Sequence, residues 1–167
     1  SNATFNALST TLISNLSTTQ IGGLTTAQVA ALSTQTFGAL TSTQLSSLTT
    51  NQLRSLTATN LGGMSTSQLS GLTSLQFSFL KDSQVAALST TVIAGLTTGQ
   101  LSGLAATQID ALTTTQINAL TTTLISSLTT AQLGGLTKAQ AGSLSTQNFG
   151  ALTSTQLGSL TSTQLNA

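Results

Sequence analysis

Large apolar residues recur along this chain at two fixed places in every eight residues, and small polar residues fill the places between. From Ser9 the octads read STTLISNL, STTQIGGL, TTAQVAAL, STQTFGAL and TSTQLSSL, and the same frame runs without insertion to the closing TSTQLNA. The opening SNATFNAL fits it too, giving about twenty-one octads in 167 residues. Position one is Ser or Thr except at Lys81 and Ala105, and position four is most often Gln. Position five is large and apolar except at Ala141; position eight is Leu, with Met64 the exception. Positions six and seven are mostly Gly, Ser or Ala.

A continuous helix cannot carry this pattern. At about 100° per residue, eight residues overshoot two turns by about 80°, so the apolar stripe would wind round the helix within a few octads. Flat strands fare no better, because positions five and eight have opposite parity and would point to opposite faces. Leu, Gln, Ala and Gly are also weak strand formers.

A short helix restarted in each octad accounts for every fixed position. Ser or Thr followed three residues later by Gln is a capping box: the hydroxyl accepts the N3 backbone N–H while the Gln side chain accepts the N-cap N–H. The Leu before the cap and the apolar residue at position five occupy the two places of a hydrophobic staple. Small residues at six and seven suit a helix end, where a left-handed residue is expected. The pattern therefore predicts an all-α solenoid of short capped helices, one per octad, wound into a superhelical rod; a β-solenoid with Thr-rich strands is the alternative.

A lone octad cannot fold. Its two large side chains contribute roughly 3–6 kcal/mol when buried, whereas ordering eight backbone units costs about 8–16 kcal/mol. Neighbouring turns must close over one another's apolar residues, as in solenoids generally. Two or three octads per coil are expected, with apolar side chains inward and Thr, Ser and Gln outward. Where Gln gives way to an apolar residue, at Leu12, Val92 and Leu124, an extra side chain is expected to be buried, at a lateral contact. The run 9–48 matches the run 121–160 octad by octad, down to Phe37 answering Phe149, which points to duplication of a multi-octad block. Residues 4–167 read as a single repeat domain, and Ser1-Asn2-Ala3 has the look of a remnant of tag cleavage.

Composition narrows function more than it narrows fold. Charged residues are 3%: Arg54, Lys81, Asp82, Asp110 and Lys138, for a net charge of +1. So sparse a charge offers no basic patch for phosphates, and five scattered Phe offer no stacking platform, so no nucleic-acid partner is expected. No apolar run approaches the roughly 20 residues of a membrane helix, so no membrane insertion is expected. Neither His, Cys nor Glu occurs, so no metal or cofactor site is expected, and no hydroxyl has a base to activate it. The chain is not expected to be an enzyme. Gly22-Gly23, Gly62-Gly63 and Gly134-Gly135 fall in the helix-ending slot and lack the Lys of a phosphate loop. The candidate partner contacts are Phe77 and Phe79, the latter in a normally small slot, with Lys81 and Asp82, which break the polar pattern at position one.

The octads L-[ST]-T-x-Q-[LIV]-x-[AGS]-L resemble the octapeptide arrays of large bacterial secreted or cell-surface proteins, often described as adhesin-like. The resemblance covers the whole chain and implies an extracellular spacer or adhesive segment. It carries no haem site to this sequence, which has only Met64 as an axial ligand. A structural spacer or stalk is the leading expectation. The others are a surface of Thr, Ser and Gln rows that binds glycan, ice or mineral, and a self-assembling matrix component pairing end to end or side by side.

Overall fold

The computed structural model describes residues 2–166. Among them, twenty-one helices of four to six residues follow one another, from Asn2–Asn6 to Ser162–Leu165, and there is no strand. One helix per octad is what the capping pattern demands, and the β-solenoid alternative is excluded.

Each restart is built as the sequence prescribes. At Thr129, for example, the hydroxyl accepts from Gln132 N at 3.1 Å and the backbone N–H donates to Gln132 Oε1 at 2.9 Å. Lys81 and Ala105 lack a hydroxyl and keep only half of this: their N–H groups still donate to Gln84 and Gln108, while the N–H groups of Gln84 and Gln108 turn to the carbonyls of Lys81 and Ala105. The junctions are extended and very uniform. Leu120 at position eight has ψ 132° and Thr121 at position one has ψ 160°. Two extended residues between helices thus fix the bend at every joint.

No residue among those described has a positive φ, and the position-seven C-caps are right-handed or nearly so, as at Gly103 with φ −73° and ψ −17°. The expected left-handed helix end is therefore absent. Leu at position eight simply goes extended, which stops the helix without a left-handed residue. Close approach, not backbone freedom, is what demands glycine at some of these places. A Cβ on Gly71, Gly103 or Gly135 would lie 2.1, 2.1 and 2.5 Å from the carbonyl oxygens of Ser42, Ser74 and Ala106.

Winding follows from which octads touch. Each helix packs mainly against the one three places on. Yet the side chain at position four reaches back four octads, to the last turn of an earlier helix and the Leu after it. Gln132 donates through Nε2 to Leu101 O at 2.7 Å and to Leu104 O at 2.8 Å, 31 and 28 residues earlier. A coil is thus about 28 residues, or three and a half octads. Two octads per coil is too few; the packing of each helix on the one three places on lies near the upper of the two expected numbers. The half-octad stagger sets the start of each helix over the end of a helix below, where helix-terminal carbonyls lack intrahelical partners.

The stagger also overturns the outward placement of Gln. Beyond the first coil nearly every position-four amide is buried, including Gln52, Gln84, Gln116 and Gln140. All twelve of these Gln residues, from Gln44 to Gln164, donate to the position-eight carbonyl 28 residues earlier. One carboxamide accepts at its own helix start and donates to a helix end in the coil before it. Burying an amide is costly unless both ends are bonded, and here both are. Apolar position-five and position-eight side chains fill the rest in one continuous cluster from Ile13 to Leu160. The accessible surface, 7503 Å², is close to the ~7,600 Å² of a folded monomer of 16.7 kDa. The narrow coil buries as much as a globular domain would.

Candidate functional site

The four nominated contact residues do not form one surface. Phe77 occupies position five and is fully buried, so it cannot touch a partner; its ring belongs to the core. Phe79, at position seven, is half-buried, and its carbonyl accepts from Arg54 Nη1 at 3.5 Å. Lys81 and Asp82 are exposed at a helix start, and Asp82 Oδ1 accepts from the Thr107 hydroxyl at 3.5 Å.

The structure adds Leu75, which is 64% exposed and precedes Phe79 by one helical turn. Residues four apart share a helix face. Leu75 is the one large apolar residue at position three in the chain, and Phe79 the one at position seven. Both departures fall in the same octad, a signal that was present in the sequence but becomes legible only once position three is known to face outward and position seven to be half-buried.

Elsewhere the outer face is made of positions one to three, mostly exposed Ser and Thr. Two shallow open grooves cross it, one along Ser74, Leu75, Ser78, Ser102 and Gly103, the other along Ala106, Thr107, Asp110, Gly134 and Gly135. Both follow the tight crossings where glycine meets a helix start. Ligand pockets are concave, with convergent polar groups, and neither groove has that form. Among the described residues no three of His, Cys, Asp or Glu come together. No helix is long and apolar enough to cross a membrane.

Recognition chemistry in this chain is turned inward, and its exceptions are instructive. Where position four is Thr36 the N-cap amide loses its Gln, and Asn6 from the coil before takes over. Ser33 N donates to Asn6 Oδ1 at 3.0 Å, and Asn6 Nδ2 donates to Ala31 O at 2.6 Å. The arrangement recurs 112 residues on. Ser145 N donates to Asn118 Oδ1 at 2.9 Å and Asn118 Nδ2 to Ser143 O at 2.6 Å, at the start of an octad whose position four is the short Asn148. The two matching runs, 9–48 and 121–160, are offset by 112 residues, four coils of 28, so the copy keeps its rotational register. Sequence inspection passed over both Asn residues because the pairing spans 27 residues.

Of the apolar residues that replace Gln, Val92 and Leu124 are buried, as expected. Leu12 is 54% exposed. It lies in the first described coil.

A protein-family model described as ALTTAQ repeat matches residues 3–34 and 93–122, which identifies two stretches of the array as repeats of a recognised type. No curated protein and no solved structure matches the chain.

Proposed function

We propose that this chain is a non-catalytic structural spacer segment of a larger bacterial secreted or cell-surface protein. The observation that carries the reading is the inward Gln ladder. The amides most able to recognise a ligand are committed to holding coil on coil, and the outer face offers small hydroxyl groups with five scattered charges. The surface location rests on the resemblance of the octads to extracellular arrays.

The half-octad stagger weighs against ice or mineral recognition. At the tight crossings position two lies against position seven, 29 residues on, so a Thr column is interrupted there by Gly. Regular hydroxyl rows would need a whole number of octads per coil.

Packed helices lie about 8–10 Å apart. Adding 56 residues, seven octads or two coils, should therefore lengthen the particle by about 16–20 Å at constant width. Small-angle scattering on arrays extended by one and two such blocks measures this. A maximum dimension that grows only as the cube root of mass would refute the spacer.

A further inference from the structure

The five charges are far apart in the sequence, yet contacts between coils string them along one side of the solenoid. Arg54, Asp82, Asp110 and Lys138 follow one another at intervals of 28 residues, one coil each, and Lys81 adjoins Asp82. The alignment survives the half-octad stagger, because a side chain at position six lies beside the joint that leads into position two of the next coil. Arg54 Nη1 donates to Phe79 O at 3.5 Å, just before Lys81 and Asp82. The Thr107 hydroxyl donates to Asp82 Oδ1 at 3.5 Å. Thr107 in turn shares an open groove with Asp110, Gly135 and Thr137, the residue before Lys138. All five charged side chains are exposed, and among the described residues none is paired with an opposite charge of its own chain.

Leu75 and Phe79 adjoin the same strip. Phe79 O is the acceptor for Arg54, and Leu75 lies one helical turn before Phe79 with most of its side chain exposed. The middle of the strip therefore carries an apolar pair beside Lys81 and Asp82. One coil to one side stands Arg54, and one coil to the other stands Asp110. An apolar centre with a polar, charged rim is the make-up of a protein interface. Opposite signs at equal distances from that centre are what an antiparallel partner of identical sequence requires, since a two-fold axis brings each end of the strip against the other.

We propose that a second copy of this chain docks on the strip side by side and antiparallel, about a two-fold axis at the level of Lys81 and Asp82. Arg54 of each copy then faces Asp110 of the other, and Leu75 and Phe79 meet their counterparts. Each Lys81 lies beside the other copy's Asp82. Lys138 falls at the level of Thr26, which is neutral. The order of charges disfavours the other pairings. Parallel copies in register set Arg54 on Arg54 and Asp110 on Asp110. An antiparallel pair centred on Asp110 sets that carboxylate against itself, and one centred between Asp82 and Asp110 sets Arg54 on Lys138. A parallel pair shifted by two coils matches signs, but it parts the apolar residues of the two copies and grows into an open array instead of closing as a dimer.

Sedimentation equilibrium of the whole chain at low ionic strength tests this with two charge reversals, Arg54→Glu and Asp110→Lys. Both side chains are exposed, so the helical circular dichroism should be retained. The unaltered chain should show a monomer–dimer equilibrium with nothing larger, weakened by added salt. Each reversal alone turns two attractions into two repulsions and should weaken dimerisation by about 10–30-fold. In an equimolar mixture Glu meets Arg or Lys at both rims again, so a heterodimer should form about as tightly as the unaltered dimer. Leu75→Ser should weaken dimerisation by about 10-fold and leave its salt dependence unchanged. A chain that stays monomeric at high concentration overturns the proposal, and so does a ladder of larger oligomers. A folded reversal variant that dimerises as before, or a mixture that fails to recover the dimer, overturns it equally.

Discussion

If the position-four amide joins two helices in successive coils, its removal should cost far more inside the array than at its first coil. Gln132→Ala is the informative change. It removes the acceptor for Thr129 N at 2.9 Å and the donor to Leu101 O and Leu104 O at 2.7 and 2.8 Å. Leu101 O retains the amide of Leu104 at 3.1 Å, but no other bond is seen to Leu104 O, which lies in a buried residue. Losing a neutral hydrogen bond costs about 0.5–1.5 kcal/mol, and stranding a buried carbonyl about 1–3 kcal/mol. With the small cavity left by the truncated chain, the sum is about 3–4 kcal/mol. In Gln20→Ala the only side-chain bond lost is the one from Ser17 N at 2.8 Å, at an exposed site where water replaces it, so about 0.5–1 kcal/mol is expected. Urea unfolding followed by far-UV circular dichroism, with the m-value held fixed, measures the difference. Equal losses for the two variants would mean that the amide acts only as a local cap, and the coil-to-coil ladder would have to be abandoned as the source of cohesion.

Other positions give independent checks. Gly103→Ala should destabilise by about 1–3 kcal/mol, because its Cβ would sit 2.1 Å from Ser74 O, while Gly134→Ala, whose Cβ meets nothing within 4 Å, should stabilise by about 0.5–1 kcal/mol. Thermal melts that move in the same direction for both would refute the tight crossing. Asn118→Ala should cost about 1–3 kcal/mol through loss of its bonds to Ser143 O and Ser145 N. Asn148→Gln should recover part of that loss by supplying the missing amide at Ser145, and a double-mutant cycle with no coupling would count against the pairing. Lys81→Ser should add an N-cap hydroxyl for Gln84 N, now bonded to Lys81 O at 2.9 Å, and raise stability by about 1 kcal/mol in urea titration.

The helix restarts were fully legible in the residues because they are local. A Thr hydroxyl and a Gln carboxamide three positions apart meet whatever the rest of the chain does, as Thr129 and Gln132 do. The apolar rhythm of positions five and eight likewise dictated that neighbours share one core. How many octads make a coil was not legible, because no local bond depends on it. That number is set by where helix-end carbonyls such as Leu104 O find a donor, and only the stacked coils bring Gln132 there. The same long-range geometry turned Gln inward, buried Phe77 and left Leu75 exposed. It also decided that Phe37 and Phe149, near-identical in sequence context, should differ so much in burial, since cover comes from the next coil and not from the octad itself.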